Sequence, residues 1–174
     1  MKINRRKIIG LIIGCLLIAG ILWYKNFSTS NNVVPLISPA LNTSQEYLVT
    51  RVIDGDTIEI ETGEKVRYIG MNTPETVDPR QPVQCFGEEA SAKNKEFVLN
   101  KKVKLVKDVS ETDKYGRLLR FVYLEDGTLV NLELVKEGFA QVMTIPPDVA
   151  HSDDFVQAAK EAREAKRGLW GACQ

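Results

Sequence analysis

Hydrophobic and polar positions alternate in three short runs within the charged part of the chain. The runs occupy 47–53, 57–60 and 65–69 and are rich in Val, Ile, Thr and Tyr. An Asp-Gly-Asp sequence at 54–56 separates the first two runs, and Glu-Thr-Gly at 61–63 separates the second from the third. Because tight turns between β-branched runs are typical of hairpins, the pattern predicts a three-stranded meander.

The rest of this region mixes helical and strand patterns after one long loop. Residues 71–86 are rich in proline and show no sustained periodicity, which predicts a loop of a length that is usually functional. Helices are predicted over 88–99, 132–136 and 152–167, the second of them capped by Asn131, and strands over 103–106, 118–124 and 128–130. The order predicts a mainly β fold with helices, in which a five-stranded barrel carries three packed helices.

A hydrophobic segment precedes this domain. Basic residues at 2, 5, 6 and 7 are followed by an uncharged run at 8–24, the pattern of a secretory signal or signal anchor. Seventeen residues at about 1.5 Å each are near the lower limit for a hydrocarbon core of about 30 Å, so three interpretations stay open. In order of preference they are an uncleaved anchor, a cleaved signal and a lipoprotein cleavage box ending at Cys15. The positive-inside rule predicts that the rest of the chain is exported.

Charge and composition divide the chain into three parts. Residues 1–25 form the signal anchor or signal peptide, 26–45 a linker rich in Ser, Asn, Thr and Pro, and 46–174 the globular domain. The whole chain has 23 Lys+Arg and 23 Asp+Glu and is neutral, but five of the basic residues and none of the acidic ones precede Glu46. The domain therefore has 18 basic and 23 acidic residues, a net charge of −5.

Two cysteines of the domain suit an oxidising compartment. Cys85 lies in the long loop and Cys173 next to the C-terminus, so a disulfide between them would tie the chain end to that loop. Two unrelated free thiols are the alternative. A zinc site is excluded because His151 is the sole histidine and the chain has no Cys-x-x-Cys sequence.

Polar motifs recur at the ends of the predicted strands. Each has an ordinary explanation: the Asp-Gly-Asp at 54–56 as a hairpin turn, Arg67 as a surface ion pair, the Asn-Thr-Pro-Glu at 72–75 as a turn or helix start, and the Asp-Lys-Tyr-Gly-Arg at 113–117 as a polar hairpin loop. The two carboxylates at 54 and 56 can also supply oxygens to a hard divalent cation. The combination of these motifs is far more informative than any one of them alone.

These motifs resemble the staphylococcal nuclease (thermonuclease) family over about residues 47–171. The likeness extends to Gly87 with Glu-Ala-Ser at 89–91, Val-Asn at 130–131 with Leu-Val at 134–135, and Leu-Trp at 169–170. Three polar motifs in the same order and spacing make chance agreement very improbable. The resemblance implies a barrel of the oligonucleotide-binding (OB-fold) type and a calcium-dependent phosphodiesterase that hydrolyses DNA and RNA.

The resemblance also implies roles for individual residues. It implies that Asp56, Asn72 and the carbonyl of Thr73 bind Ca²⁺, and that Glu75 is the general base. Arg67 and Arg117 correspond to the two phosphate-binding arginines, and Lys114 and Tyr115 to groups that contact the nucleotide.

Two departures from the family pattern are visible. Asn72 stands where the best-known members have Asp, which removes one negative charge from the metal site, and Asp54 lies near enough to compensate in part. Thr144 and Pro146 stand where the type member has tyrosines that bracket a base, so binding should depend more on phosphates.

DNA and RNA are the expected partners, with the membrane as a further one through 8–24 if that segment is uncleaved. No protein partner is inferred, and a monomer is expected. The alternative function is a noncatalytic OB-fold module that binds nucleic acid or protein at the cell surface.

Overall fold

The structure is a computed structural model that describes residues 45–77, 79–80 and 82–173. The predicted leader at 8–24 and almost all of the predicted linker lie outside the described residues. Within the described part of the chain, no helix is long and apolar enough to cross a membrane. Contacts within the chain separate Ser44–Gln174 as one compact unit.

Over the described residues the chain forms seven strands and four helices. The strands are β1 Glu46–Asp54, β2 Thr57–Ile60, β3 Lys65–Tyr68, β4 Gly70–Asn72, β5 Lys102–Val106, β6 Leu118–Tyr123 and β7 Gln141–Met143. The helices are α1 Gly87–Val98, α2 Val130–Lys136, α3 Ser152–Glu164 and the single turn α4 Leu169–Ala172.

Five of the strands close into a barrel in the order β1-β2-β3-β6-β5. Neighbouring strands are antiparallel except β3 and β6, which are parallel, and β1 closes the barrel by pairing with β5. The predicted five-stranded barrel with three packed helices is confirmed. The turn α4 is an addition to the prediction.

The pairing between β1 and β2 is irregular, and this changes the direction of the side chains at the end of β1. The register shifts between Val49 and Arg51, and again between Val52 and Asp54. Such bulges place an extra residue on one strand and change the phase of its side chains. Val49, Val52 and Asp54 are all buried as a result, and Asp54 ends the strand as a carboxylate below the surface.

The core fills the barrel and the space between the barrel and the helices. Val49, Ile58, Val66 and Val122 are fully buried inside the sheet. Phe155 of α3 stacks with Phe121 of β6 at a centroid distance of 6.4 Å and is itself 1% exposed. The buried face of α3 consists of Phe155, Ala158, Ala159 and Ala162, and the helix ends at Glu164 rather than at the predicted 167.

A glycine begins β4, two residues after the end of β3. Gly70 has a φ of +83°, and a β-carbon there would collide with the ring of Phe155. Only glycine meets both conditions without strain. Strand β4 pairs antiparallel with β7, with Asn72 opposite Gln141. The prediction of an uninterrupted loop from 71 onwards was therefore wrong at its first residues, because this short pairing involves residues about 70 positions apart.

Asn131 has a different role from the one that its sequence position predicts. Helix α2 begins at Val130 and no side chain caps its N-terminus. The Asn131 side chain is fully buried: its Oδ1 accepts from the Val122 N–H at 2.9 Å, and its Nδ2 donates to the carbonyls of Ile69 and Arg120. It stabilises the contact between the helix and the barrel instead of the helix end.

The predicted strand at 128–130 is also wrong. Only a single bridge between Tyr123 and Leu129 forms there, and the helix begins at the next residue. The Asp126 carboxylate accepts from the Thr128 N–H at 2.9 Å, a local turn that leaves too few residues for a strand.

Helix α1 is fixed to the end of β1 by a buried polar chain. Tyr68 Oη donates to Asn94 Oδ1 at 2.9 Å, and Asn94 Nδ2 donates to the carbonyl of Asp54 at 3.1 Å. Burial raises the pKa of Tyr68 far above its ordinary value, so the phenol stays a donor. The chain of contacts positions the backbone of the β1-β2 turn.

Candidate active site

The carboxylate of Asp56 lies at the centre of the site, in the turn between β1 and β2. It is 1% exposed. Its Oδ2 accepts from the N–H of Thr73 at 3.0 Å and from the Thr73 hydroxyl at 3.2 Å, while Oδ1 accepts from the Thr57 hydroxyl at 3.0 Å. The β1-β2 turn and the segment after β4 are thereby joined at one carboxylate.

Arg67 of β3 bridges two of the predicted metal-binding groups. Its Nη1 forms a close ion pair with Asp56 Oδ1, and its Nη2 donates to Asn72 Oδ1 at 2.7 Å. The Arg67 side chain is 12% exposed and that of Asp56 2% exposed. A planar guanidinium reaches both oxygens at once, which the ammonium of lysine does less well.

Glu75 and Asp54 lie beside this cluster. The Oε1 of Glu75 accepts from the N–H groups of Thr76 and Val77 at 2.9 and 2.7 Å. Asp54 Oδ1 accepts from Gly55 N–H at 2.7 Å and from the Thr76 hydroxyl at 2.8 Å. Burial raises the pKa of Asp54, and the neighbouring Glu75 adds to this. Asp54 thus binds the segment that carries Glu75.

Arg117 enters the site from the turn before β6. Its Nε donates to Asp113 Oδ2 at 2.7 Å, and the Oδ1 of Asp113 accepts from the N–H groups of Tyr115 and Arg117. Asp113 thereby holds both the turn and the guanidinium. Arg117 Nη1 lies 3.4 Å from Thr57 Oγ1, which connects it to the Asp56 cluster.

The two predicted arginines line the same groove and influence each other electrostatically. Burial, followed by the positive charge of Arg117, lowers the pKa of Arg67 to about 10. Two guanidiniums that approach each other repel, and an anion between them would relieve that repulsion.

Lys114 and Tyr115 lie beside Arg117 on the open side. The Tyr115 ring is 72% exposed, with Lys114 Nζ 5.0 Å and Arg117 Cζ 5.4 Å from its centroid. All three line a groove of about 490 Å³ that also has Arg67, Met143 and Ile145 in its wall. The groove combines cations with an apolar wall, a composition suited to an anionic ligand with flat apolar parts.

The predicted metal-binding residues fit a hard cation. Among the described residues no three side chains of His, Cys, Asp or Glu form a metal cluster. The predicted set instead combines the Asp56 carboxylate, the Asn72 amide oxygen and the Thr73 carbonyl, and hard divalent cations prefer such oxygens. A positive group, the guanidinium of Arg67, already bridges Asp56 and Asn72. The Thr73 carbonyl accepts from Asn72 Nδ2 at 3.0 Å.

The structure brings all six predicted catalytic and metal-binding residues to one end of the barrel, although they lie as far apart in sequence as Asp56 and Arg117. Sequence reasoning missed Thr57, Thr76 and Gln84, whose Oε1 accepts from the N–H of Glu75 at 3.0 Å, and gave Asp113 no role of its own. The Asp-x-x-Gly pattern at 113–116 is a turn signal that could have identified Asp113. No local pattern marks the other three, whose contacts are made through folding.

Cys85 and Cys173 form a disulfide, with their α-carbons 5.9 Å apart. It lies outside the cluster around Asp56. Cys85 is exposed at the end of the long loop, directly before α1, and Cys173 directly follows α4.

Comparisons with known proteins agree with this geometry. Residues 65–172 match the family described as staphylococcal nuclease homologue. The chain is 44% identical over 129 residues to a thermonuclease of Staphylococcus intermedius, covering 72% of this chain and 76% of the relative. It is 41% identical over 141 residues to a thermonuclease of Staphylococcus hyicus, covering 78% and 83%.

Endonuclease YncB of Bacillus subtilis is a further relative. It is 45% identical over 125 residues, which cover 69% of this chain and 59% of the relative. The matched region of this chain includes the barrel end that holds Arg67 and Arg117, and the printed names of the relatives describe nucleases. The chain belongs to the staphylococcal nuclease family and is a thermonuclease-like phosphodiesterase.

Proposed function

We propose that the protein is a calcium-dependent nuclease that hydrolyses phosphodiester bonds of both DNA and RNA. The observation that carries the proposal is that Arg67 and Arg117 line one groove beside the buried carboxylate of Asp56. Each guanidinium is oriented by one carboxylate, Asp56 or Asp113, and both line the groove, where they can bind the oxygens of a phosphodiester. Glu75 follows Thr73, whose N–H and hydroxyl bind the Asp56 carboxylate, by only two residues.

The two arginines suit the charge that develops during hydrolysis. Negative charge builds on the non-bridging oxygens of the phosphate in the transition state, and guanidiniums fixed in advance stabilise it there. Asp113 fixes Arg117 at 2.7 Å, and Asn72 fixes Arg67 at 2.7 Å, so neither group must be ordered during the reaction.

Glu75 is the proposed general base. It takes a proton from the water that attacks phosphorus, and it must be ionised to do so. The N–H groups of Thr76 and Val77 both donate to its Oε1. They also fix the direction of the carboxylate.

Asp56, Asn72 and the Thr73 carbonyl are the proposed calcium ligands. When bound, the ion supplies positive charge close to the phosphate oxygens. The oxygen-only donor set and the single carboxylate predict weaker binding than a site with two carboxylates.

A digestion assay on the full-length chain tests the proposal with labelled DNA and RNA oligonucleotides of matched sequence. Glu75→Gln and Arg117→Ala should each lower turnover by about a hundredfold to a thousandfold, since each removes a group that acts on the transition state. Chelation of calcium should stop cleavage, and added calcium should restore it.

Matched controls are Glu89→Gln and Arg51→Ala, which make the same chemical changes at exposed positions outside the cluster. Near-parental turnover in Glu75→Gln would contradict the assignment of the base. Restoration by magnesium as fully as by calcium would contradict the calcium preference. A chain that binds both oligonucleotides and cleaves neither would be the noncatalytic module.

We also propose that the domain acts outside the cytoplasm, either anchored in the membrane through 8–24 or secreted after cleavage, and as a monomer. The basic residues before the apolar run and the disulfide between Cys85 and Cys173 support export. Fractionation of producing cells tests this, and activity confined to the cytoplasm would contradict it.

A further inference from the structure

The loop that begins at Glu75 is closed at its neck by one residue, Gln84. The N–H of Glu75 donates to Gln84 Oε1 at 3.0 Å, and the N–H of Gln84 donates back to the carbonyl of Glu75 at 3.0 Å. Both main-chain polar groups of Glu75 are therefore bound by the same residue nine positions later. This bracket fixes the backbone from which the Glu75 carboxylate projects.

The start of α1 leaves little space beneath this neck. A β-carbon on Gly87 would lie 3.1 Å from the carbonyl oxygen of Pro74 and 3.2 Å from that of Glu75. The first residue of the helix thus packs against the same backbone that Gln84 binds. A displacement of the segment 84–87 would move the backbone of Glu75 with it.

Gln84 itself is exposed, so water competes for its hydrogen bonds. The two hydrogen bonds of Gln84 can fix the backbone of Glu75 only if another contact holds the backbone of Gln84. The next residue, Cys85, is joined to Cys173 by the disulfide. Phe86 then stacks on Phe139 at a centroid distance of 5.3 Å. The covalent bond therefore connects the neck of the loop to the C-terminal end of the domain.

We propose that Gln84 is a positioning residue for Glu75, and that the Cys85–Cys173 disulfide holds Gln84 in place, so that full activity requires the oxidised protein. The inference rests on the proposed role of Glu75 as the base. A base must lie within hydrogen-bond reach of the attacking water, and displacement of about 1 Å can cost a hundredfold in rate.

Reduction of the disulfide is a two-electron step. A dithiol such as dithiothreitol attacks one sulfur of the bond and forms a mixed disulfide. Its second thiol then displaces the protein sulfur, so that the reagent becomes a cyclic disulfide. Cys85 and Cys173 are left as thiols and together gain two electrons and two protons. Cys85 is exposed, so the reagent has access. The reduced chain keeps every residue of the cluster around Asp56 and loses only the link at the neck.

Two substitutions separate the side-chain bracket from general structure. Gln84→Met keeps the length of the side chain but removes the oxygen that accepts from Glu75, whereas Gln84→Glu keeps an oxygen at that position. In the oxidised full-length chain, Gln84→Met should lower kcat about tenfold with KM unchanged, because the substrate-binding arginines are untouched. Gln84→Glu should stay within about threefold of the parent, since the acceptor is restored.

Combining Gln84→Met with Glu75→Gln distinguishes a positioning role of Gln84 from a purely structural one. If Gln84 acts through Glu75, Gln84→Met should lower kcat no further when combined with Glu75→Gln. An equal further loss in that background would overturn the proposal. Near-parental activity of Glu75→Gln alone would instead mean that the proposed function has failed, so the two failures are distinguishable.

Reduction tests the disulfide. Dithiothreitol should lower the kcat of the parent about tenfold while the near-ultraviolet circular dichroism at the assay temperature stays native. The double variant Cys85→Ser with Cys173→Ser should show the low kcat without reductant and no response to it. An unchanged kcat in the fully reduced parent, or in Gln84→Met, would overturn the corresponding part of the proposal.

Discussion

At the scale of single residues, one guanidinium organises the site. Arg67 binds Asp56 and Asn72 together, and Asn72 in turn donates to the Thr73 carbonyl at 3.0 Å. An aspartate at position 72 would offer a second carboxylate to a cation but could not donate to that carbonyl. We therefore propose that the residue at this position affects both the affinity for calcium and the order of the cation-free protein.

Asn72→Asp should strengthen calcium binding. The added negative charge increases the attraction for a divalent cation, and we expect the calcium concentration for half-maximal activity to fall roughly tenfold. Calorimetric titration of the full-length chain measures the affinity directly. Gln157→Glu, on the exposed side of α3, makes the same charge change as a control. Unchanged or weaker binding in Asn72→Asp would contradict the proposed metal site.

At the scale of elements, buried polar side chains join segments that their own sequences do not connect. Asn131 binds α2 to the barrel, and Asp148 binds the loop after β5 to the segment after β7. The Oδ1 of Asp148 accepts from the N–H groups of Val109 and Ser110 at 2.9 and 2.7 Å. This second contact fixes the wall of the groove near Arg117.

Asp148→Asn tests the hydrogen bonds by which Asp148 joins the loop after β5 to the segment after β7. Burial disfavours the Asp148 charge, but the hydrogen bonds from Ser110 and Val109 outweigh it and hold its pKa below the ordinary value. A lowered pKa in the folded state stabilises the protein above the ordinary pKa of aspartate, about 3.9, and the gain is lost as the pH falls through the lowered value.

We expect Asp148→Asn to lower the free energy of unfolding by about 1–2 kcal/mol at neutral pH, because the two amides lose a charged acceptor. The difference from the parent should shrink as the pH falls below the ordinary pKa of aspartate. Urea unfolding at several pH values measures both, with Glu61→Gln in an exposed turn as the control. A difference that is constant with pH would contradict the role of the charge.

At the scale of the whole molecule, the domain has a net negative charge but its groove contains cations. The domain from Glu46 onwards has a net charge of −5, yet the groove has Arg67, Arg117 and Lys114 along its wall. The groove wall also contains Asp113 and Asp148, so its three cations exceed its carboxylates by one and favour a polyanion there despite the net negative charge of the domain. The few cations also predict a modest dependence of substrate binding on salt.

Lys114→Ala should raise KM for single-stranded DNA and leave kcat almost unchanged, because Lys114 lies on the open side of the groove. The slope of log KM against log salt concentration should fall by about one, the value for one lost phosphate contact. Lys160→Ala, an exposed cation on α3 that does not line the groove, is the matched control. An unchanged slope would mean that Lys114 does not contact phosphate.

Most of the fold was predictable from local patterns. The alternation in β1 to β3, the acidic start of α1 and the apolar face of α3 depend on neighbours in sequence, and each element forms where its pattern predicts it. Two errors occurred where distant residues decide the outcome: β4 pairs with β7, and Asn131 bonds to β6 rather than to its own helix end. The wrong strand at 128–130 has a local cause, the turn held by Asp126.

The sequence by itself determined the types of chemical group that the site contains, since Asp56, Arg67, Glu75 and Arg117 are visible as motifs. Only the tertiary structure decided their pairing: that Arg67 binds both Asp56 and Asn72, that Asp113 holds Arg117, and that Gln84 brackets Glu75. The physical reason is that a hydrogen bond depends on distance and direction across the closed barrel, and no local periodicity encodes either.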